Sequence, residues 1–152
     1  MMKSLEIKPH EGLGTLKFGV GMQEVETLVG CAENIEQFNE LDEHRTIVWH
    51  YWEQGYSLFF DLDFNNRFSS VEIDNEDTLL WGKKIFQLKE KEIITLFKEK
   101  GFTEIETEMH EWGEKRISFD EAIIDFYFEK NKLVAINYGV INELLPIVIF
   151  PN

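Results

Sequence analysis

Phe18-Gly19-Val20-Gly21-Met22-Gln23-Glu24-Val25-Glu26-Thr27-Leu28-Val29-Gly30 is the stretch on which the fold turns. Val25, Leu28 and Val29 stand at i, i+3 and i+4, the spacing of one helical face, and Gly30 supplies a helix stop. Shifted by 68 residues, Phe18, Val20, Glu24, Val25, Thr27, Leu28 and Val29 fall on Phe86, Leu88, Glu92, Ile93, Thr95, Leu96 and Phe97, with Gly101 as the second stop. The spacing predicts two amphipathic helices, one in each half of the chain.

After each helix the apolar period changes to two. Leu58, Phe60 and Leu62 alternate against Phe59, Asp61 and Asp63, and Ile124, Phe126 and Phe128 against Asp125, Tyr127 and Glu129. These are half-buried strands. Asn65-Asn66 suits a tight hairpin that sets Val71 beside Phe60 and Ile73 beside Leu58. The connection Lys130-Asn131-Lys132 sets Val134 beside Phe128 and Ile136 beside Phe126. Four strands are expected per unit, over 33–38, 45–52, 56–64 and 67–74, then 103–110, 114–119, 122–129 and 133–139. The expected fold class is therefore α+β. Two tandem helix–ββββ units, about 12–74 and 82–140, form a single domain over 1–152 with a short hydrophobic C-terminal tail, and helices cover one face of the antiparallel sheet.

Apolar residues make up 43% of the 152, enough for a core without disulfide or metal staples. Formal charge is −14, unevenly placed: residues 1–76 carry −10 and residues 77–152 carry −4. Such a field repels phosphate backbones and anionic membranes and draws basic partners, so neither nucleic acid nor membrane is an expected partner. The segment 1–14 has no signal-peptide h-region, no stretch reaches a membrane span, and one cysteine, Cys31, suits a reducing compartment. A cytoplasmic protein is expected on these grounds.

The run Phe18-Gly19-Val20-Gly21-Met22-Gln23-Glu24-Val25 followed by Leu28-Val29-Gly30 resembles the helix motif of the BamE-like and beta-lactamase-inhibitory-protein-like superfamily. Trp49, Tyr51, Gly55, Tyr56, Leu58 and Phe60 are similar to that family's aromatic-rich second and third strands, and the duplication is similar to the tandem layout of the inhibitory protein. The resemblance implies a helix-packed sheet used for protein binding, by an inhibitor or an assembly factor. Two departures narrow it: the inhibitory protein is disulfide-bonded and BamE is a lipoprotein, and the second helix lacks the Phe-Gly opening because Gln87 follows Phe86.

Catalytic chemistry leaves no linear trace. No GxSxG, Walker A or GxGxxG run occurs, and Gly12-Leu13-Gly14 and Gly19-Val20-Gly21 read as turns before the first helix. Asp61, Asp63, Asn65 and Glu72 match a calcium-loop spacing, except that Asn66 stands at its glycine and the alternation around it is that of a strand. His10, His44, His50 and His110 have no metal-ligand spacing. Cys31, beside a helix-ending glycine, reads as small and buried. No catalytic residue, metal site or cofactor is expected.

The outward strand face is where aromatic residues interleave with acids. Phe59, Asp61 and Glu72 share it in the first unit and Asp125 and Tyr127 in the second, and His50 and Trp52 join them through a two-residue Gln54-Gly55 turn. These seven residues are the expected binding surface of a protein-binding module, inhibitory or immunity-like, that masks a basic protein partner. The alternative is a small-molecule-binding or enzymatic domain with a site assembled only in space. Self-association through the sheet face or the C-terminal tail, 144–150, is a further expectation.

Overall fold

A computed structural model describes residues 2, 4–40, 44–61 and 65–140. The amphipathic segments form helices α1 (Met22–Val29) and α2 (Glu90–Glu99). Val25 and Val29 of α1 and Ile93, Leu96 and Phe97 of α2 are buried, whereas Leu28 is 43% exposed. Glu92, in the first turn of α2, accepts a hydrogen bond from the Lys89 backbone N–H at 3.0 Å, satisfying a donor that the helix itself leaves unpaired.

Each half contributes a four-stranded antiparallel meander. The first is β4 (Asn34–Glu40), β5 (His44–Tyr51), β6 (Tyr56–Asp61) and β7 (Arg67–Ile73). The second is β10 (Glu106–Met109), β11 (Glu114–Phe119), β12 (Ile124–Glu129) and β13 (Lys132–Gly139). Their last strands pair antiparallel, Ile73 opposite Ile136 and Val71 opposite Tyr138, so the two meanders fuse into one eight-stranded sheet of order β10-β11-β12-β13-β7-β6-β5-β4.

Local geometry repeats along with topology. The turns Trp52–Gln54 and Asp120–Ala122 are both 3-10 turns, closed by Gly55 and Ile123 in the left-handed region. Bulges sit between Phe59 and Phe60 and between Tyr127 and Phe128, 68 residues apart. Asn65, Asn66, Lys130 and Asn131 all have positive φ, and Lys130-Asn131, between the paired Glu129 and Lys132, is thereby the tight turn that matches strand twist.

The expected α+β class, with helices covering the sheet, is overturned. Among the described residues, strand outnumbers helix by more than two to one, and thirteen strands in two sheets make the fold β-rich. The missed elements are β1 (Glu6–Lys8), β2 (Gly12–Leu13), β3 (Leu16–Lys17), β8 (Leu79–Leu80) and β9 (Lys83–Lys84), which form a second sheet of order β3-β2-β1-β8-β9. Four of these are two residues long, too short to display a period of two, so Gly12-Leu13-Gly14 reads as turn when it is half of a hairpin. β1 pairs in parallel with β8, Ile7 opposite Leu80, stitching the start of the chain to the second half.

The core lies between the inner face of the eight-stranded sheet and a cover made of the small sheet and the two helices. Phe97 is its aromatic hub, with ring centroids 4.1 Å from Phe119, 4.8 Å from Trp81 and 5.4 Å from Phe126. Phe18 joins the halves, 4.9 Å from Phe68 and 5.8 Å from Tyr138. The buried Tyr138 hydroxyl donates to the Gly12 carbonyl at 2.9 Å, tying the two sheets together. Apolar burial of this extent is the dominant stabilising contribution in a fold of this size.

Two register expectations are corrected. In the first hairpin Leu58 faces Val71 and Tyr56 faces Ile73, a slide of two residues from the expected pairing: the pair nearest the turn, Asp61 with Arg67, is three residues off, and the bulge between Phe59 and Phe60 takes one back. In the second, Phe126 faces Ile136, but the bulge sets Leu133, not Val134, opposite Phe128. Cys31 is exposed, not buried. The tail 144–150 lies outside the described residues.

Candidate interaction face

Alternation along each strand sends one set of side chains into the core and the other to the opposite face of the large sheet. Strand pairing aligns that second set into a continuous polar row. The first half contributes Asn34, His50, Ser57 and Glu72. The second contributes Asn137, Asp125, Ser118 and Glu106, and Glu72 faces Asn137 across the seam between the halves.

Two concavities open on this face. The larger, about 820 Å³, reaches from Thr46 on β5 to Glu106 on β10. Those strands are separated by six inter-strand steps, roughly 29 Å in a flat sheet, so one concavity serving both makes the face a trough. Phe59, Asp61, Asp125 and Tyr127 line it, together with Asp120 and Arg116. Among the described residues of that lining Arg116 is the one base against four acids, and its Nη2 bonds Glu108 at 2.6 Å. Desolvation pulls the Arg116 guanidinium down, but Asp125 and the bond to Glu108 outweigh it and the net direction is up. Tyr127 is pushed up by burial first and then by Asp125, with Arg116 opposing.

The smaller concavity, about 250 Å³, is lined by His50, Trp52, Ser57, Glu72 and Asp74, with Gly55, Tyr56 and Ala135 completing it. His50 is held from three sides. Its Nδ1 is 2.7 Å from Ser57 Oγ, its Nε2 is 2.7 Å from Glu36 Oε1, and its ring stacks on Trp52 with centroids 5.2 Å apart. Trp52 nonetheless stays 60% exposed. Burial pushes the Glu72 carboxyl above its ordinary range, Asp74 adds to this, and His50 opposes it.

The seven residues singled out from the sequence therefore divide between neighbouring concavities: Phe59, Asp61, Asp125 and Tyr127 in the larger, His50, Trp52 and Glu72 in the smaller. Trp52 arrives there by a route other than the expected Gln54-Gly55 turn. The strand ends at Tyr51, paired with Tyr56, and Trp52 opens the 3-10 turn and folds back onto His50. Sequence reasoning missed Arg116, Glu106, Asp120, Asp74 and Ser57. Arg116 and Ser118 alternate against the apolar Ile117 and Phe119, a signal of the same kind that located Asp125 and Tyr127.

Ser57, His50 and Glu36 form a hydrogen-bonded chain like that of a nucleophilic triad. Ser57 is 8% exposed and stands on β6, whose backbone is paired on both sides to β5 and β7. Backbone N–H groups engaged in ladders cannot serve as an oxyanion hole. Asp61 and Glu72, the two ends of the calcium-like spacing, stand on strands β6 and β7, where a calcium loop has helices, and Asp63 lies outside the described residues. Among the described residues no group of three or more histidine, cysteine or acidic side chains is placed to hold a metal, and no helix is long and apolar enough to cross a membrane.

No protein-family model and no curated protein sequence matches the chain, and neither superfamily named above gains support from these comparisons. The crystal structure of an extracellular protein containing an SCP domain, from Bacillus anthracis str. Ames, is similar at a TM-score of 0.48 and 12% identity, over 80% of this chain and 43% of that one. The chain thus spans less than half the length of that protein, and a likeness at this level implies neither common function nor common partners.

Proposed function

We propose that the chain is a protein-binding module, inhibitory or immunity-like, that receives a basic partner on the trough side of its eight-stranded sheet. The observation that carries this reading is the acidic trough itself, in which Asp61, Asp120, Asp125 and Glu106 stand around the aromatic side chains of Phe59 and Tyr127. Aromatic anchors supply contact area at low entropy cost, and acids of one sign steer a partner of the other. The opposite face of the sheet is committed to the core, so the trough is the face left for recognition. A cytoplasmic location and the superfamily resemblance belong to the same proposal.

A second reading, an enzymatic or small-molecule site, is favoured by the Ser57-His50-Glu36 chain. It is the weaker, since that chain meets only a small concavity and the β6 backbone around Ser57 is paired on both sides.

The test is a pull-down with tagged protein at low and high salt, followed by kinetics on the captured partner. Phe59→Ala and Tyr127→Ala should mainly speed dissociation. Asp125→Asn with Glu106→Gln should mainly slow association and flatten its salt dependence. Unchanged kinetics in folded variants would remove the trough from the interface.

A further inference from the structure

We infer that the concavity bounded by Trp52, Glu72 and Asp74 is an anchor site for a guanidinium group, an arginine side chain carried by the basic partner. This rests on the reading of the sheet face as a protein-binding surface and gives that face its central specificity element.

Three independent observations meet there. First, Glu72 near the end of β7 and Asp74 just past it stand two apart, and both project into this concavity. Both line the concavity, and neither carboxylate has a hydrogen-bond or ion-pair partner among the described residues. Second, the Glu72 carboxyl is desolvated with a like charge beside it, and only His50 opposes the resulting rise. Two like charges held side by side are relieved by a cation bound between them.

Third, the wall is a preorganised aromatic. Trp52 is 60% exposed, yet its ring stacks on His50, which is itself pinned by Ser57 and Glu36. An exposed tryptophan held in one orientation loses little entropy on receiving a guest. The guest that uses both a π-face and two carboxylates is a planar guanidinium, which stacks and forks its N–H donors at once; an ammonium does so as a point charge without the matching plane. The 250 Å³ of space accommodates a side-chain terminus and not a drug-sized molecule.

The probe is Nα-acetyl-arginine amide, titrated into the full chain labelled with ¹⁵N, with the neutral isostere Nα-acetyl-citrulline amide as control. Arginine amide should shift the Trp52 indole N–H and the Gly55 and Ala135 amides saturably. Citrulline amide should bind about tenfold more weakly or not at all, since it lacks the charge assistance. Glu72→Gln with Asp74→Asn should abolish the arginine response while circular dichroism and thermal midpoint stay near those of the parent. Equal responses to both probes, or a response surviving in the double variant, would overturn the assignment. Octa-arginine separates this claim from the broader one. If it shifts Asp125 and Tyr127 while arginine amide leaves Trp52 unmoved, the anchor site falls and the trough reading stands; if neither probe moves the open face, both fall.

Discussion

Glu72 of β7 and Asn137 of β13 face each other directly across the line where the two halves of the chain join. One side of this seam pair is a carboxylate whose affinity for protons is already raised, and the other is a neutral amide. The neutral residue keeps the seam free of a like-charge clash at the middle of the sheet.

Asn137→Asp should therefore destabilise the fold by about 0.2–1 kcal/mol at neutral pH, the usual range for directly opposed cross-strand pairs. The loss should shrink in acid, where the pair takes up a proton. Urea midpoints at two pH values check this; a variant as stable as the parent at neutral pH would show that the two side chains do not sense each other.

Gly139, at the end of β13, has no positive φ, so its requirement is purely one of space. A Cβ there would stand 2.6 Å from the Ser69 carbonyl oxygen and 2.7 Å from Ser70 Cβ. Two backbones pack too closely at the β7–β13 seam for any side chain. Gly139→Ala should cost about 1–3 kcal/mol, the range for overpacking a fitted interior, read as a lowered chemical-denaturation midpoint with an unchanged slope.

Tyr51 predicts the alkaline limit of stability. Its hydroxyl donates to the Gly30 carbonyl at 2.8 Å, and burial, then Cys31 and Glu26, push its pKa up to about 12. The folded value exceeds the unfolded one, so the neutral form is the one the fold favours. That contribution is fully present below tyrosine's ordinary value near 10 and is lost as pH rises through the folded value near 12. Denaturation midpoints should fall between about pH 9 and pH 12, and Tyr51→Phe should flatten part of the fall.

Glu72 gives the opposite test, on binding. Burial and Asp74 raise its folded pKa, so its neutral form adds stability at low pH, and this is lost as pH rises through the folded value. A cation in the adjoining concavity favours the ionised form. Binding of arginine amide should thus strengthen as pH rises through the Glu72 range and release protons below it. Calorimetry in two mildly acidic buffers of different ionisation enthalpy detects that release, and Glu72→Gln should remove most of it.

Much of the architecture was legible because it is local. Periods of 3.6 and 2 located both helices and the strands around Phe60 and Phe126, and alternation alone assigned Phe59, Asp61, Glu72, Asp125 and Tyr127 to the face away from the core. The slide at the first hairpin changed no assignment: it is two residues, and side-chain direction repeats every two. What local period could not carry was the fold class, since strands such as Gly12–Leu13 and Leu79–Leu80 are too short to have a period.

By itself the sequence determined which side of each long strand is apolar and where the two helices lie, since each depends on the spacing of residues near one another in the chain. Only the tertiary structure decided that β7 pairs with β13 and β1 with β8. It alone brought Arg116 and Glu106 into one trough with Asp61, and set Trp52 against His50 beside Glu72 and Asp74. The reason is physical: a hydrogen-bonded strand edge accepts any complementary edge, and the choice among them is made by the packing of the whole core, which no single segment encodes.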